Sequence, residues 1–197
     1  MVLADSTSRC AGGYEVIEYN GQTICTHGPD TAPKGVDIRV DQPPEPEPKA
    51  KVGGAVVKAS SVTCFGNGQD GKRVQLIYAR AADKPDRYSS YEESFQLWAQ
   101  EVNNVVRDSA IKTGGYSQVR FVHDSGCTPT IARVQLTATG DDSFSQTLYE
   151  LMLAGYSRSD RKYLVWVDAN VYCGLGTINY DDSPASANAN NNQASWA

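Results

Sequence analysis

The longest unbroken run of large apolar residues in the chain is Tyr163-Leu164-Val165-Trp166-Val167. Five such residues without alternation, β-branched and aromatic in type, predict a strand buried on both faces. It ends on Asp168, where a buried strand meets solvent at the edge of a sheet. Alternation through Val74, Leu76 and Tyr78 predicts a strand over 73–79, and similar patterns predict strands at 117–122 and 131–137. Helical spacing of Phe95, Trp98, Val102 and Val105 or Val106 predicts a helix, with Ser90 and Glu93 as a capping box and Gly114-Gly115 as its stop. A second helix carries Phe144, Leu148, Leu151 and Met152 on one face, with Asp142 or Ser143 as its cap and Gly155 after it. Near the start, residues 14–19 and 22–25 flank Asn20-Gly21, the pair that suits a type I′ hairpin turn. A last short strand carries Cys173, Gly174 and Gly176.

This order of strands and helices predicts an α/β or α+β domain, a sheet with helices packed against it. Residues 1–40 form a small hairpin lobe, and residues 41–54 a linker. Four prolines alternating with glutamates in D-Q-P-P-E-P-E-P favour extended polyproline II there. Residues 55–184 form the main domain. Residues 185–197 read as an Asn-rich loop without apolar periodicity, in which Trp196 is the only large apolar side chain. The glycine-rich stretch Phe65 to Lys72 precedes a strand; a phosphate-binding loop needs the reverse order, so it reads as a turn.

Charge and cysteine content narrow the partners. The net charge of −5 argues against nucleic acid and against an anionic membrane surface. No apolar run approaches the ~20 residues that span a bilayer, and the N-terminus lacks the pattern of a signal peptide. The five cysteines, Cys10, Cys25, Cys64, Cys127 and Cys173, show no C-x-x-C spacing. Only His27 and His123 accompany them, which argues against a zinc finger or ribbon. Disulfides in an oxidising, extracellular compartment fit this usage. Cys10 and Cys25 sit at opposite ends of the hairpin, and a bridge between them is worth roughly 3 kcal/mol in the loop-entropy model. The odd count leaves one cysteine free, paired with another chain, or separated from its partner.

Catalytic signatures are few. The chain has no G-x-S-x-G, no H-E-x-x-H and no dinucleotide fingerprint after a strand. His123 stands alone at a strand end, which suits a structural role more than a metal or catalytic one. Asp141-Asp142 reads either as a helix cap or as a carboxylate pair. Asp168, Asp181 and Asp182, with Asn170 and Asn179, offer oxygen ligands of the kind calcium takes, a carboxylate pair for acid–base work, or a solvated loop.

Several segments together carry a resemblance. G-D-D-S-F-S (140–145), S-R-S-D-R-K-Y-L-V-W-V-D-A (157–169) and C-G-L-G-T-I-N-Y-D-D-S-P (173–184) resemble secreted bacterial zinc metallopeptidase-like proteins of the zincin type. G-K-R-V-Q-L-I-Y-A-R-A (71–81) and C-T-H-G-P-D (25–30) fit the same group. The resemblance implies a twisted mixed sheet of about five strands with two main backing helices, as in a zincin N-terminal subdomain. It implies a Cys64–Cys127 pair, and a partner for Cys173 beyond Ala197. It implies that the zinc-binding H-E-x-x-H helix follows the Asn-rich loop, so this chain carries neither the zinc ligands nor the base and is expected to be inactive alone. Gly174, Leu175, Gly176 and Thr177 would then form the substrate-binding edge beside the cleft, taking up a peptide or protein substrate. The plainer reading of the two glycines is a bulge or tight bend. A secreted binding module without catalysis, stabilised by calcium, is the alternative to the peptidase part.

Overall fold

A computed structural model of the chain describes residues 15–19, 22–26, 62–169, 174–178 and 183–197. Among the described residues there are two sheets. The larger has four parallel strands, β3 (Arg73–Ala81), β4 (Ile131–Leu136), β5 (Arg161–Asp168) and β7 (Ser195–Trp196), in the order β4-β3-β5-β7. The smaller is antiparallel: β1 (Glu15–Tyr19), β2 (Gln22–Thr26) and β6 (Thr177–Ile178). The expected mixed sheet is thus divided into a parallel sheet and an antiparallel one. Three helices accompany them, α1 (Tyr88–Lys112), α2 (Phe144–Leu153) and the single turn α3 (Ala189–Asn192).

Strand periodicity places the two long helices on opposite faces. Side chains alternate along β3, so Ile77 and Ala79 face one way while Val74 and Leu76 face the other. Ile77 and Ala79 pack with Val134, Leu136, Leu148, Leu151 and Met152, which is the α2 side. Leu76 packs with Ala99 and Phe121, joined by Val74, Ile131, Leu164 and Trp166, which is the α1 side. The chain winds from β3 out to β4, then returns past β3 to β5. Its direction of winding therefore reverses between β3 and β5, and crevices for ligands in open α/β sheets form at the carboxyl ends of strands at such a point.

Helix boundaries show where local signals held. Ser143 caps α2, its hydroxyl accepting from the Gln146 N–H at 3.2 Å. The capping box expected at Ser90 does not form. Instead α1 starts at Tyr88, Arg87 takes the cap position without a side-chain cap bond, and Ser90 lies inside the first turn. Arg87 is held there by other bonds, described below, so tertiary contacts set the start. The buried stripe of α1 is Phe95, Ala99 and Asn103, whereas Val102 and Val105 are exposed. Asn103 occupies the inner face because its Oδ1 accepts from the Val119 N–H at 2.9 Å, which pins the returning chain.

The stretch 117–122 is not a strand; only an isolated bridge joins Phe121 to Val74. It runs as a loop because Arg73 reaches through it, Nη1 donating to the Phe121 carbonyl at 3.0 Å. The Asn-rich region also departs from the sequence reading. It forms α3, capped by Asn188, and then β7, whose Trp196 is 5 % exposed in the α2-side core. Trp196 stacks on Tyr163 at 5.8 Å and donates from its indole to the Tyr156 carbonyl at 3.1 Å. One large apolar residue with a polar handle is enough to recruit a two-residue strand.

The hairpin of β1 and β2 is present, with Tyr19 opposite Gln22, the register of a two-residue connection. β2 pairs onward with β6, setting Cys25 opposite Ile178 and Thr26 opposite Thr177. The turn Asn20-Gly21, Cys10 and residues 41–54 lie outside the described residues. Cys64 and Cys127 form the expected disulfide, with Cα atoms 5.2 Å apart and a sequence separation of 63. Closing a loop of that length is worth roughly 4 kcal/mol in the entropy model. No helix among the described residues is long and apolar enough to cross a membrane.

Candidate functional site

β5 was expected to be buried on both faces. Only one face of its first half is: Arg161 and Tyr163 are buried, while Lys162 and Leu164 to Asp168 are half-buried as residues. The reason is the length of β7, which pairs with Lys162 and Tyr163 alone. The last ladder bonds on this side are the Ala197 N–H to the Tyr163 carbonyl at 3.0 Å and the Val165 N–H to the Ala197 carbonyl at 2.7 Å. Peptide groups alternate in direction along a parallel strand. The Val165 carbonyl and the Val167 N–H therefore face the same side, and among the described residues neither has a strand partner. The edge ends where the Ala169 N–H turns back to the Val167 carbonyl at 3.0 Å.

Beside this edge lies a cleft of about 410 Å³. One wall is aromatic, built by α1 and β5. Phe95 stacks on Trp166 at 4.7 Å, Trp98 lies 5.9 Å from Trp166, and Tyr91 stacks on Phe95 at 5.9 Å. The helical spacing of Tyr91, Phe95 and Trp98 brings three rings to one side, where they meet the strand's single indole. The other wall comes from α2 through Phe144, Leu148 and Leu151, with Trp196 beneath.

A polar cluster closes the carboxyl-end corner. Arg87 grips Asp168 with both ends of its fork, Nε donating to Oδ2 at 2.9 Å and Nη2 to Oδ1. Tyr78 donates its hydroxyl to the same Oδ2 at 3.0 Å and accepts from the Arg87 backbone N–H at 3.1 Å. The Asp168 side chain is 8 % exposed and that of Arg87 26 %. Burial, and then the bond to Asp168 and its charge, push the Tyr78 phenol up to about 12. The bond to Asp168 raises Arg87 above the ordinary arginine value. Both Asp168 oxygens are engaged, so Asp168 braces the corner and shapes the cleft.

The other sequence-predicted residues fall in several places. Gly174 and Leu175 line the cleft. Gly174 has φ +64°, a left-handed bend that suits glycine. Gly176 and Thr177 turn instead toward β7: the Thr177 hydroxyl accepts from the Trp196 N–H at 2.9 Å, and a Cβ at Gly176 would meet that of Ala197 at 3.6 Å. The expected four-residue edge is thus divided, with its first two positions at the cleft and its last two bracing the sheet. Asn170, Cys173, Asn179, Asp181 and Asp182 lie outside the described residues.

His123 is 2 % exposed and both ring nitrogens are engaged. Nε2 accepts from the Phe65 N–H at 3.0 Å, and Nδ1 lies 2.7 Å from the Asp124 carbonyl, to which it donates. This is a structural histidine. Asp141 is buried and held above the ordinary carboxylate value by that burial, and Asp142 is exposed. Among the described residues no three His, Cys, Asp or Glu side chains gather to hold a metal.

Sequence reading alone did not find the free β5 edge or the role of Arg87. The edge depends on how far β7 extends, which no periodicity records. Arg87 carries no motif; its only signal is its place between Pro85-Asp86 and a helix start.

Fold and site together define an α/β protein with a four-stranded parallel sheet and an apolar cleft beside the free edge of β5. Compared with protein-family models, curated proteins and solved structures, the chain matches none. The zinc-peptidase expectation therefore rests on the segments quoted from the sequence.

Proposed function

We propose that this chain binds an extended peptide along the free edge of β5 and takes one of its large apolar side chains into the aromatic cleft. The observation that carries this reading is the pair of unpartnered backbone groups, the Val165 carbonyl and the Val167 N–H, directly beside the wall of Phe95, Trp98 and Trp166. Strand addition uses main-chain bonds for affinity and a neighbouring pocket for side-chain choice. Gly174 and Leu175 border the same cleft, in keeping with the substrate edge the resemblance implies. In that family reading, the chain is the substrate-holding, non-catalytic portion of a secreted zinc peptidase, with the metal motif supplied outside it. The Cys64–Cys127 bridge supports an oxidising, extracellular setting.

Peptides selected from a random library for binding test the proposal. A selected peptide should lose about tenfold or more in affinity when the N–H that meets the Val165 carbonyl is methylated, since one buried main-chain bond is lost. Trp166→Ala should weaken it further while Leu153→Ala, on an exposed part of α2, leaves it unchanged. Equal affinity for peptides methylated at each position in turn would sink strand addition.

A further inference from the structure

The opposite end of the parallel sheet carries a second recess, about 340 Å³ in volume, between the starts of β3 and β5 and the loop entering from α1. Five cationic side chains line it, Lys72, Arg73, Arg120, Arg161 and Lys162, against one carboxylate, Asp160. On a chain whose net charge is −5, that concentration of positive charge is local and built.

Its floor is fixed by structure. Arg73 is 6 % exposed and Arg161 3 %. Arg73 is held on the carbonyls of Phe65, Asp70 and Phe121, and Arg161 on those of Gln69, Gly71 and Asp160. These bonds leave the Arg73 guanidinium without a carboxylate partner among the described residues, because carbonyls solvate a cation and do not neutralise it, whereas Arg161 pairs with Asp160 at 2.9 Å. Asp160 is shared, since it also pairs with Arg158. Buried Arg161 keeps one donor unused: its Nε has no hydrogen-bond partner. An orphaned N–H on a buried cation costs free energy unless something accepts from it.

The rim is free to close on a ligand. Lys72 is exposed, with no hydrogen bond or ion pair among the described residues, and Arg120 makes only a ring contact, 5.1 Å above Phe65. Lys162 reaches the Gln193 carbonyl at 2.9 Å and brings its ammonium to the same recess. The cations strain one another. Burial, and then the charge of Lys72, hold Lys162 below the ordinary lysine value, and Arg73 is lowered by burial and by Arg161 and Arg120.

We propose that this recess is a binding site for a tetrahedral oxyanion, the phosphate or sulfate group of a small ligand, with Lys72, Arg120 and Lys162 at its rim and Arg73 and Arg161 among its lining. A doubly charged group matches an excess of cations that one carboxylate leaves unpaired, and guanidinium groups suit its oxygens. The site is independent of the peptide edge at the other end of the sheet.

Calorimetric titration of the full chain with inorganic phosphate, sulfate and acetate, each at ionic strength matched with sodium chloride, provides the test. Phosphate and sulfate should bind and raise the melting temperature, with acetate much weaker. The double variant Lys72→Gln/Arg120→Gln, exposed positions that spare the fold, should weaken phosphate binding by about tenfold. No heat or melting shift beyond the chloride control would overturn the proposal. So would acetate binding as well as phosphate, or an unchanged response in the double variant.

Discussion

The two ends of the parallel sheet are built from the same strands and differ in what they leave unsatisfied. At the carboxyl end, charges are matched: Arg87, Asp168 and Tyr78 complete one another, and what remains open is backbone and apolar surface. At the amino end, backbone is matched: the Arg73 N–H reaches the Asp160 carbonyl at 3.1 Å and the Val74 N–H the Arg120 carbonyl at 2.8 Å. There, what remains open is charge. The kind of group left without a partner tells what each end can hold, a peptide strand at one and an anion at the other.

Breaking the matched charges should have the largest effect. Arg87→Ala leaves Asp168 nearly buried without its cation, and such a loss costs about 3 kcal/mol. Urea unfolding of both forms gives the value directly. The same change made on the unmatched side, Lys72→Gln, should move stability by less than about 0.5 kcal/mol, since Lys72 is exposed and bonded to nothing described. Equal losses at the two positions would erase the contrast.

A smaller loss is expected from Gly68→Ala, which bears on the loop that Arg73 and Arg161 hold. Gly68 has φ +78°, and a Cβ there would lie 2.2 Å from the His123 carbonyl oxygen. Left-handed backbone and a clash with main chain together should cost about 2 kcal/mol, and the oxyanion response should weaken with them as the floor shifts. Thermal unfolding with and without phosphate reads both.

A pH dependence is also expected at the carboxyl end. Tyr78 titrates from the ordinary value of 10.0 when unfolded and at about 12 when folded. Between those values the folded state binds the extra proton, so its contribution is complete below pH 10 and stability falls as pH rises toward 12. Tyr78→Phe should flatten that decline in a series of urea titrations, while Lys72→Gln should leave the Tyr78 step in place.

Much of this architecture was legible in the sequence. The alternation in β3, the apolar run of β5 and the stripe of α2 each forced one packing solution, because burial fixes register and face. The hairpin register and the Cys64–Cys127 pair also appear as expected. What escaped is of another kind. Trp196 belongs to a strand that only stacking on Tyr163 makes visible, and in the loop at 117–122 the Phe121 carbonyl is taken by the buried Arg73. The first turn of α1 obeys Tyr78 and Asp168 rather than Ser90. In each case a long-range contact outranks the local pattern. The site shows the same division: the resemblance set Gly174 to Thr177 together beside a cleft, of which Gly174 and Leu175 alone line this one, whereas the open edge next to them follows from where β7 stops pairing.

The most direct measurement is hydrogen exchange at the Val167 amide with and without a selected peptide. Strand addition predicts that this amide, open in the free chain, becomes protected by at least tenfold when the peptide is bound, roughly the effect of one stable main-chain bond. A peptide that binds and shifts the Trp166 indole while the Val167 amide exchanges at its free rate would contradict it.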